Sequence, residues 1–300
     1  MRTAFIQELI RQARQDPRVF LVVGDLGFSV VEPFSAEFPD RFLNAGVAEQ
    51  NMTAVAAGLA SEGYHVFTYS IGNFPTLRCL EQIRNDIAYH RLPVTVVSVG
   101  GGVAYGNMGY SHHAVQDIAA LRTLPQMMVL SPADPGETIG CVQLALARSG
   151  PSYLRLGKAG EPELHPPAEL TAGPLRVREG TAPLALVATG AVLRSVLAAA
   201  EQLAQRGLLL PVYSCPVLGA DFAAGYAPLW RHPRLLAVEE HGVAGGFGSY
   251  LKEIAPPQVD IRIRGIPPRN AGLVGGQAFH WRHAGLDADS LTAWALELMP

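Results

Sequence analysis

Short apolar runs alternate along the chain with longer segments of helical period. Phe20–Gly24, His65–Tyr69, Pro93–Val99 and Met127–Ser131 are too short and too uniformly apolar for surface helices, so they predict buried strands. Leu77–Tyr89 and Pro135–Ala147 carry the helical pattern between them. Strands alternating with helices predict a parallel sheet covered on both faces. A stretch rich in Pro, Gly and charge, Gly157–Ala168, interrupts the pattern and reads as an interdomain linker. The alternation resumes with Leu184–Gly190, a helix over Val192–Arg206 stopped by Gly207, and strands Leu208–Tyr213 and Arg234–Glu239. A glycine-rich turn, Gly242–Ser249, opens another helix; its glycines suit a phosphate cradle or tight backbone packing at a subunit contact, and their spacing is neither a P-loop nor a dinucleotide fingerprint. The expected architecture is α/β with two doubly wound domains, residues 1–160 and 181–300, joined by a linker at 161–180.

Composition narrows the function classes. Hydrophobic residues make up 49% of the 300 residues and charged residues only 16%, a balance that suits deep burial and a surface hidden against another chain. The net charge of -3 and the lack of a long Lys/Arg cluster argue against a nucleic-acid track. The N-terminal segment reads as an amphipathic helix rather than a signal peptide, and no apolar run reaches membrane-spanning length. Cys79, Cys141 and Cys215 match neither a disulfide framework nor a zinc spacing, and they read as reduced buried thiols of a cytoplasmic protein.

The segment Asn44–Met52 places a carboxylate, Glu49, at the start of an apolar, small-residue helix. Its plainer explanation is a first-turn acid favoured by the helix dipole. Three other polar segments accompany it: Tyr69–Arg78 at a strand end, the loop Gly109–Asp117 with His112 and His113, and Gly150–Lys158. Loops leaving the carboxyl ends of parallel strands gather on one edge, where ligands bind. An acid, an aromatic plane, imidazoles and cations are therefore expected around one crevice.

The order GVAEQNM, LRCLEQIRND, LPV, a His-bearing loop, SPAD and GPSYLRLGK, followed by VATG, AVEEH and GGFGS, resembles the thiamine-diphosphate-dependent transketolase family. It is similar both to transketolases and to deoxyxylulose-phosphate synthases, and the resemblance covers nearly the whole chain. It implies a pyrimidine-binding domain followed by a transketolase C-terminal domain. It also implies that Glu49 engages the aminopyrimidine ring of the cofactor. Phe74, or Ile71 if the register slides, would stack on that ring, with Tyr69 lining the pocket. His112 would contact the donor substrate, with His113 as a second contact. Arg78 and Lys158 are anion-binding candidates, and each is equally well an ordinary surface charge. Met108 stands where transketolases place an aspartate that recognises a donor hydroxyl, and a thioether cannot replace that acceptor.

Family members hold the diphosphate through Mg2+ in an earlier domain that carries a Gly-Asp-Gly segment, which this sequence lacks. The resemblance thus implies the C-terminal half of a split enzyme. An N-terminal-half partner would hold most of the Mg2+ site, in an α2β2 assembly. The implied reaction is transfer of a two-carbon ketol unit from a sugar-type donor to an aldehyde. Acyl transfer from a 2-oxoacid such as pyruvate is the alternative, and a non-catalytic scaffold is another. The cluster Glu239-Glu240-His241 is given no catalytic role.

Overall fold

The computed structural model describes residues 1–166 and 168–299, so one position of the expected linker, Pro167, lies outside it. Six strands form the first sheet in parallel: β1 (Val19–Val23), β2 (Phe42–Asn44), β3 (His65–Ile71), β4 (Val94–Val99), β5 (Met128–Leu130) and β6 (Ser152–Leu156). The second part of the chain contributes β7 (Leu175–Arg178), β8 (Leu184–Thr189), β9 (Val212–Ser214), β10 (Val217–Leu218), β11 (Arg234–Glu239) and β12 (Asp260–Arg264). The spatial orders are β10-β5-β6-β4-β3-β1-β2 and β12-β11-β8-β9-β7. β10 joins the first sheet, antiparallel to β5, through Val217 opposite Leu130. The two units therefore share a sheet edge, which the separate-domain expectation did not contain. β7, a strand antiparallel to β9, lies inside the stretch read as linker.

Period-two alternation on β3 sets which face each neighbour occupies. Phe67 and Tyr69 point into the core built with Phe5, Ile6 and Leu9 of the helix Arg2–Gln15. Val66 points the other way, into the core with Met52, Ala56, Ala57 and Ala60 of the helix Glu49–Ser61. Those alanines bring the helix close to the sheet, while each large buried aliphatic or aromatic side chain contributes about 2 kcal/mol. Leu77–Tyr89 is helical as expected but irregular: a 3-10 turn at Leu77–Cys79, one α turn at Leu80–Gln82 and a π-helical stretch at Ile83–Ala88. The strand expected at Leu208–Tyr213 begins only at Val212, because Pro211 has no N–H to give the ladder.

Candidate active site

Glu49 opens its helix with its side chain only 3% exposed, at the carboxyl edge of the first sheet. It packs beside Gly24 at the end of β1, where an added Cβ would meet Glu49 Cγ at 3.4 Å and Ser70 Oγ at 3.5 Å. Among the described residues the buried carboxylate has one ionic partner: Arg78 Nη1 donates to Glu49 Oε2 at 2.8 Å. The Arg78 guanidinium also lies 4.6 Å from the centre of the Phe74 ring. Phe74 in turn meets the His112 ring edge-on, with centroids 5.3 Å apart. Four of the expected site residues thus form one contiguous group, in the order Glu49, Arg78, Phe74, His112.

The turn after β3 holds this group in place. Gly72 takes φ +51°, where a side chain is strained, and its carbonyl accepts from Ser98 Oγ and Thr76 Oγ1 at 2.8 and 3.1 Å. Next to it, Asn73 Nδ2 donates to the His113 carbonyl at 2.9 Å, tying the Phe74 turn to the His112 loop. The role of Asn73 was not foreseen, since a long-range staple leaves no local pattern. Asn44 clamps the neighbouring loop by exchanging hydrogen bonds with Asp25 at 3.0 and 3.1 Å.

Several expected residues lie elsewhere. Tyr69 is on the opposite face of β3, stacked on Phe5 with centroids 5.8 Å apart, so it does not meet Glu49 or Phe74. Burial raises its phenol pKa well above the ordinary value. Alternation decides this: the pocket faces the Glu49 helix and Tyr69 faces the other layer. Ile71 ends β3, half-buried and paired with Val99. Arg78 is engaged by Glu49 rather than open to an anion. His113 is buried against His280 of the second unit, ring centroids 4.9 Å apart, and desolvation lowers its pKa. Lys158 sits 5.2 Å from the Tyr105 ring centre. Met108 is 53% exposed on its loop.

The Glu239-Glu240-His241 cluster is structural and fully interior. Glu239 accepts from the N–H groups of Phe247 and Gly248 at 2.6 and 3.0 Å, which caps the helix Phe247–Ile254. That occupies the anion site the glycine-rich turn offered, and the turn's glycines pack closely within the chain itself, Gly245 against Ala119 and Gly248 against Ile263. Glu240 accepts from Val103 N–H at 3.0 Å across the junction of the two units. His241 Nδ1 is 2.6 Å from the Gly242 carbonyl, and its Nε2 accepts from Ala119 N–H at 3.3 Å. These partners require the neutral tautomer with the proton on Nδ1. Among the described residues no group of three or more His, Cys, Asp or Glu is placed to hold a metal ion, and no helix is long and apolar enough to cross a membrane.

A buried acid joined through Arg78 to an aromatic ring, at the carboxyl edge of a parallel sheet in a two-unit α/β chain, lies where ligand-binding α/β proteins place their sites. Residues 1–160 match the family model of the transketolase pyrimidine binding domain, and residues 174–266 that of the transketolase C-terminal domain; the chain belongs to the transketolase family. It is 33% identical to one subunit of the apulose-4-phosphate transketolase of Phocaeicola vulgatus, covering 99% of this chain and 97% of that one. It is 31% identical to the 1-deoxy-D-xylulose-5-phosphate synthase of Desulforudis audaxviator, covering 88% of this chain but 43% of the synthase. A solved structure described as a split gene transketolase, inactive beta4 tetramer, superposes with a TM-score of 0.83 at 31% identity, covering 97% of this chain and 95% of that one.

Proposed function

We propose that this chain is the pyrimidine-binding subunit of a split, thiamine-diphosphate-dependent transketolase. It would transfer a two-carbon ketol unit from a ketose-type donor to an aldehyde acceptor. The observation that carries this reading is the Arg78 bridge between buried Glu49 and Phe74: its guanidinium reaches the Glu49 carboxylate at 2.8 Å and lies 4.6 Å from the Phe74 ring centre, so one flat group can span both. An aminopyrimidine makes the same two demands, a carboxylate to hydrogen-bond and an aromatic ring to stack on, and this correspondence supports the reading. Similarity over nearly the full length to a relative named as a single subunit of a transketolase supports the subunit assignment.

When bound, thiamine diphosphate supplies a nucleophilic thiazolium carbon able to cleave the bond beside a ketone carbonyl. Glu49 hydrogen-bonds the ring nitrogen of the aminopyrimidine, and its burial strengthens that contact by excluding water. Phe74 orients the ring by stacking. His112, whose ring meets Phe74 edge-on, would exchange hydrogen bonds and protons with the donor's oxygens. We assign the diphosphate and Mg2+ to an N-terminal-half partner, and the whole to an α2β2 assembly with twofold symmetry. Substitution Glu49→Ala in the complex with that partner abolishes ketol transfer while size-exclusion chromatography still shows assembly. Unchanged turnover removes Glu49 from the mechanism.

One observation favours a second reading. Met108 offers no strong acceptor for a donor hydroxyl, which suits a donor such as pyruvate. Carbon dioxide release from pyruvate, without transfer from ketose phosphates, would decide for that acyl transfer.

A further inference from the structure

Arg78 meets both demands that the pyrimidine ring would make on its pocket. Its Nη1 holds Glu49 at 2.8 Å, and its flat guanidinium lies over Phe74 at 4.6 Å. Gln50 Nε2 donates to the Arg78 backbone carbonyl at 3.2 Å, which fixes the stem of the side chain against the Glu49 helix. The two partners are unequal in burial: the Arg78 side chain is 48% exposed and that of Glu49 only 3%. Swinging Arg78 into water therefore costs the arginine little, but strands a carboxylate in the interior. The pair persists until another hydrogen-bonding group takes over Glu49. Lysine would not do the same work, since an ammonium has no plane to lay on the ring.

We propose that Arg78 is an internal plug: without cofactor, its guanidinium stands in for the aminopyrimidine on Glu49 and Phe74, and cofactor entry exchanges the two. This rests on the reading of Glu49 and Phe74 given above. The plug keeps the pocket formed and its buried acid satisfied while the site is incomplete. It also makes the apparent affinity for the cofactor weaker than the intrinsic one, because only the unplugged fraction binds.

The test titrates the pyrimidine fragment of thiamine, 4-amino-5-hydroxymethyl-2-methylpyrimidine, into the purified full chain and reads binding by ligand-detected NMR. Arg78→Ala and Arg78→Met, the latter keeping the bulk of the stem, bind the fragment roughly fivefold tighter than the unmodified chain, the equivalent of about 1 kcal/mol for a half-exposed ion pair. Arg78→Lys falls between them. Affinity that is unchanged or weaker in both Arg78→Ala and Arg78→Met overturns the plug, as does the absence of binding in all chains up to the solubility of the fragment. The double substitution Arg78→Ala with Glu49→Ala loses the gained affinity. If it binds as tightly as Arg78→Ala alone, the role of Glu49 falls, and the plug falls with it.

Discussion

Arg155 Nε donates to Asp117 Oδ2 at 2.7 Å, with both side chains at least 96% buried, at the junction where the two units of the chain meet. Tyr153 Oη donates to the same oxygen at 2.6 Å. Arg155 Nη2 bridges onward to the carbonyls of Ala114 and Glu240, each at 2.9 Å. One guanidinium thereby joins β6, the His112 loop and the end of β11. The cation beside it lowers the Asp117 pKa against the opposing pull of burial.

Removing one partner leaves the other charged and stranded. Asp117→Ala is expected to destabilise the chain by about 3–5 kcal/mol, read from urea unfolding. The paired replacement Asp117→Leu with Arg155→Met recovers part of that loss, because neither member of the ion pair is then left stranded, while the Tyr153 hydroxyl and the Ala114 and Glu240 carbonyls lose their partners. A loss below about 1 kcal/mol in the single variant contradicts this account.

Two histidines shape the pH dependence of stability in opposite directions. His165 sits 3.0 Å from Glu137 Oε1 and 2.9 Å from the Pro166 carbonyl, so both ring nitrogens donate and its pKa rises to about 9. Its stabilisation is fully present below about pH 6.5 and is lost as pH rises through about 9. His65 is buried, and desolvation lowers its pKa to about 4. Its contribution is present above about pH 6.5 and is lost as pH falls through about 4. Melting temperatures measured from pH 4 to 10 should flatten on the alkaline side in His165→Gln and on the acid side in His65→Phe. An unaltered alkaline limb in His165→Gln rules out the first assignment.

Tyr69 and Phe74 separate the two faces of the sheet experimentally. Among the described residues the buried Tyr69 Oη makes no hydrogen bond of good geometry, so Tyr69→Phe is expected to be neutral or to stabilise by up to about 1 kcal/mol. It leaves the affinity for the pyrimidine fragment unchanged. Phe74→Ala weakens that affinity roughly tenfold through lost stacking and contact area. Equal effects of the two substitutions on binding would place both rings in one pocket and refute the geometry.

The three free thiols are interior, and burial raises the pKa of Cys79, Cys141 and Cys215. Ellman's reagent is expected to find almost no reactive thiol in the native chain and three in denaturant. Rapid native labelling of any one would show that its core opens far below global unfolding.

The hydrophobic pattern carried the strands β1, β3, β4 and β11 almost to their ends, because a strand buried on both faces leaves an unbroken apolar run. The pattern was silent on β10, two residues long, whose pairing with β5 depends on where the chain returns. Among the candidate site residues, Glu49 drew notice through the GVAEQNM segment that carries the family resemblance, and the structure adds that its side chain is buried. Arg155 reads in the sequence as a cation near the crevice, and only burial shows that Asp117 and Glu240 consume it.

The order of apolar runs and turn residues by itself determined the α/β class and the parallel first sheet, since these follow from local periodicity, while short motifs such as GVAEQNM carried the resemblance to the family. Tertiary structure alone decided which charges face each other. Arg78 is 29 residues from Glu49, and Arg155 is 38 from Asp117. Such pairs are selected by the desolvation of both groups when distant segments close on one another. No local pattern records that cost.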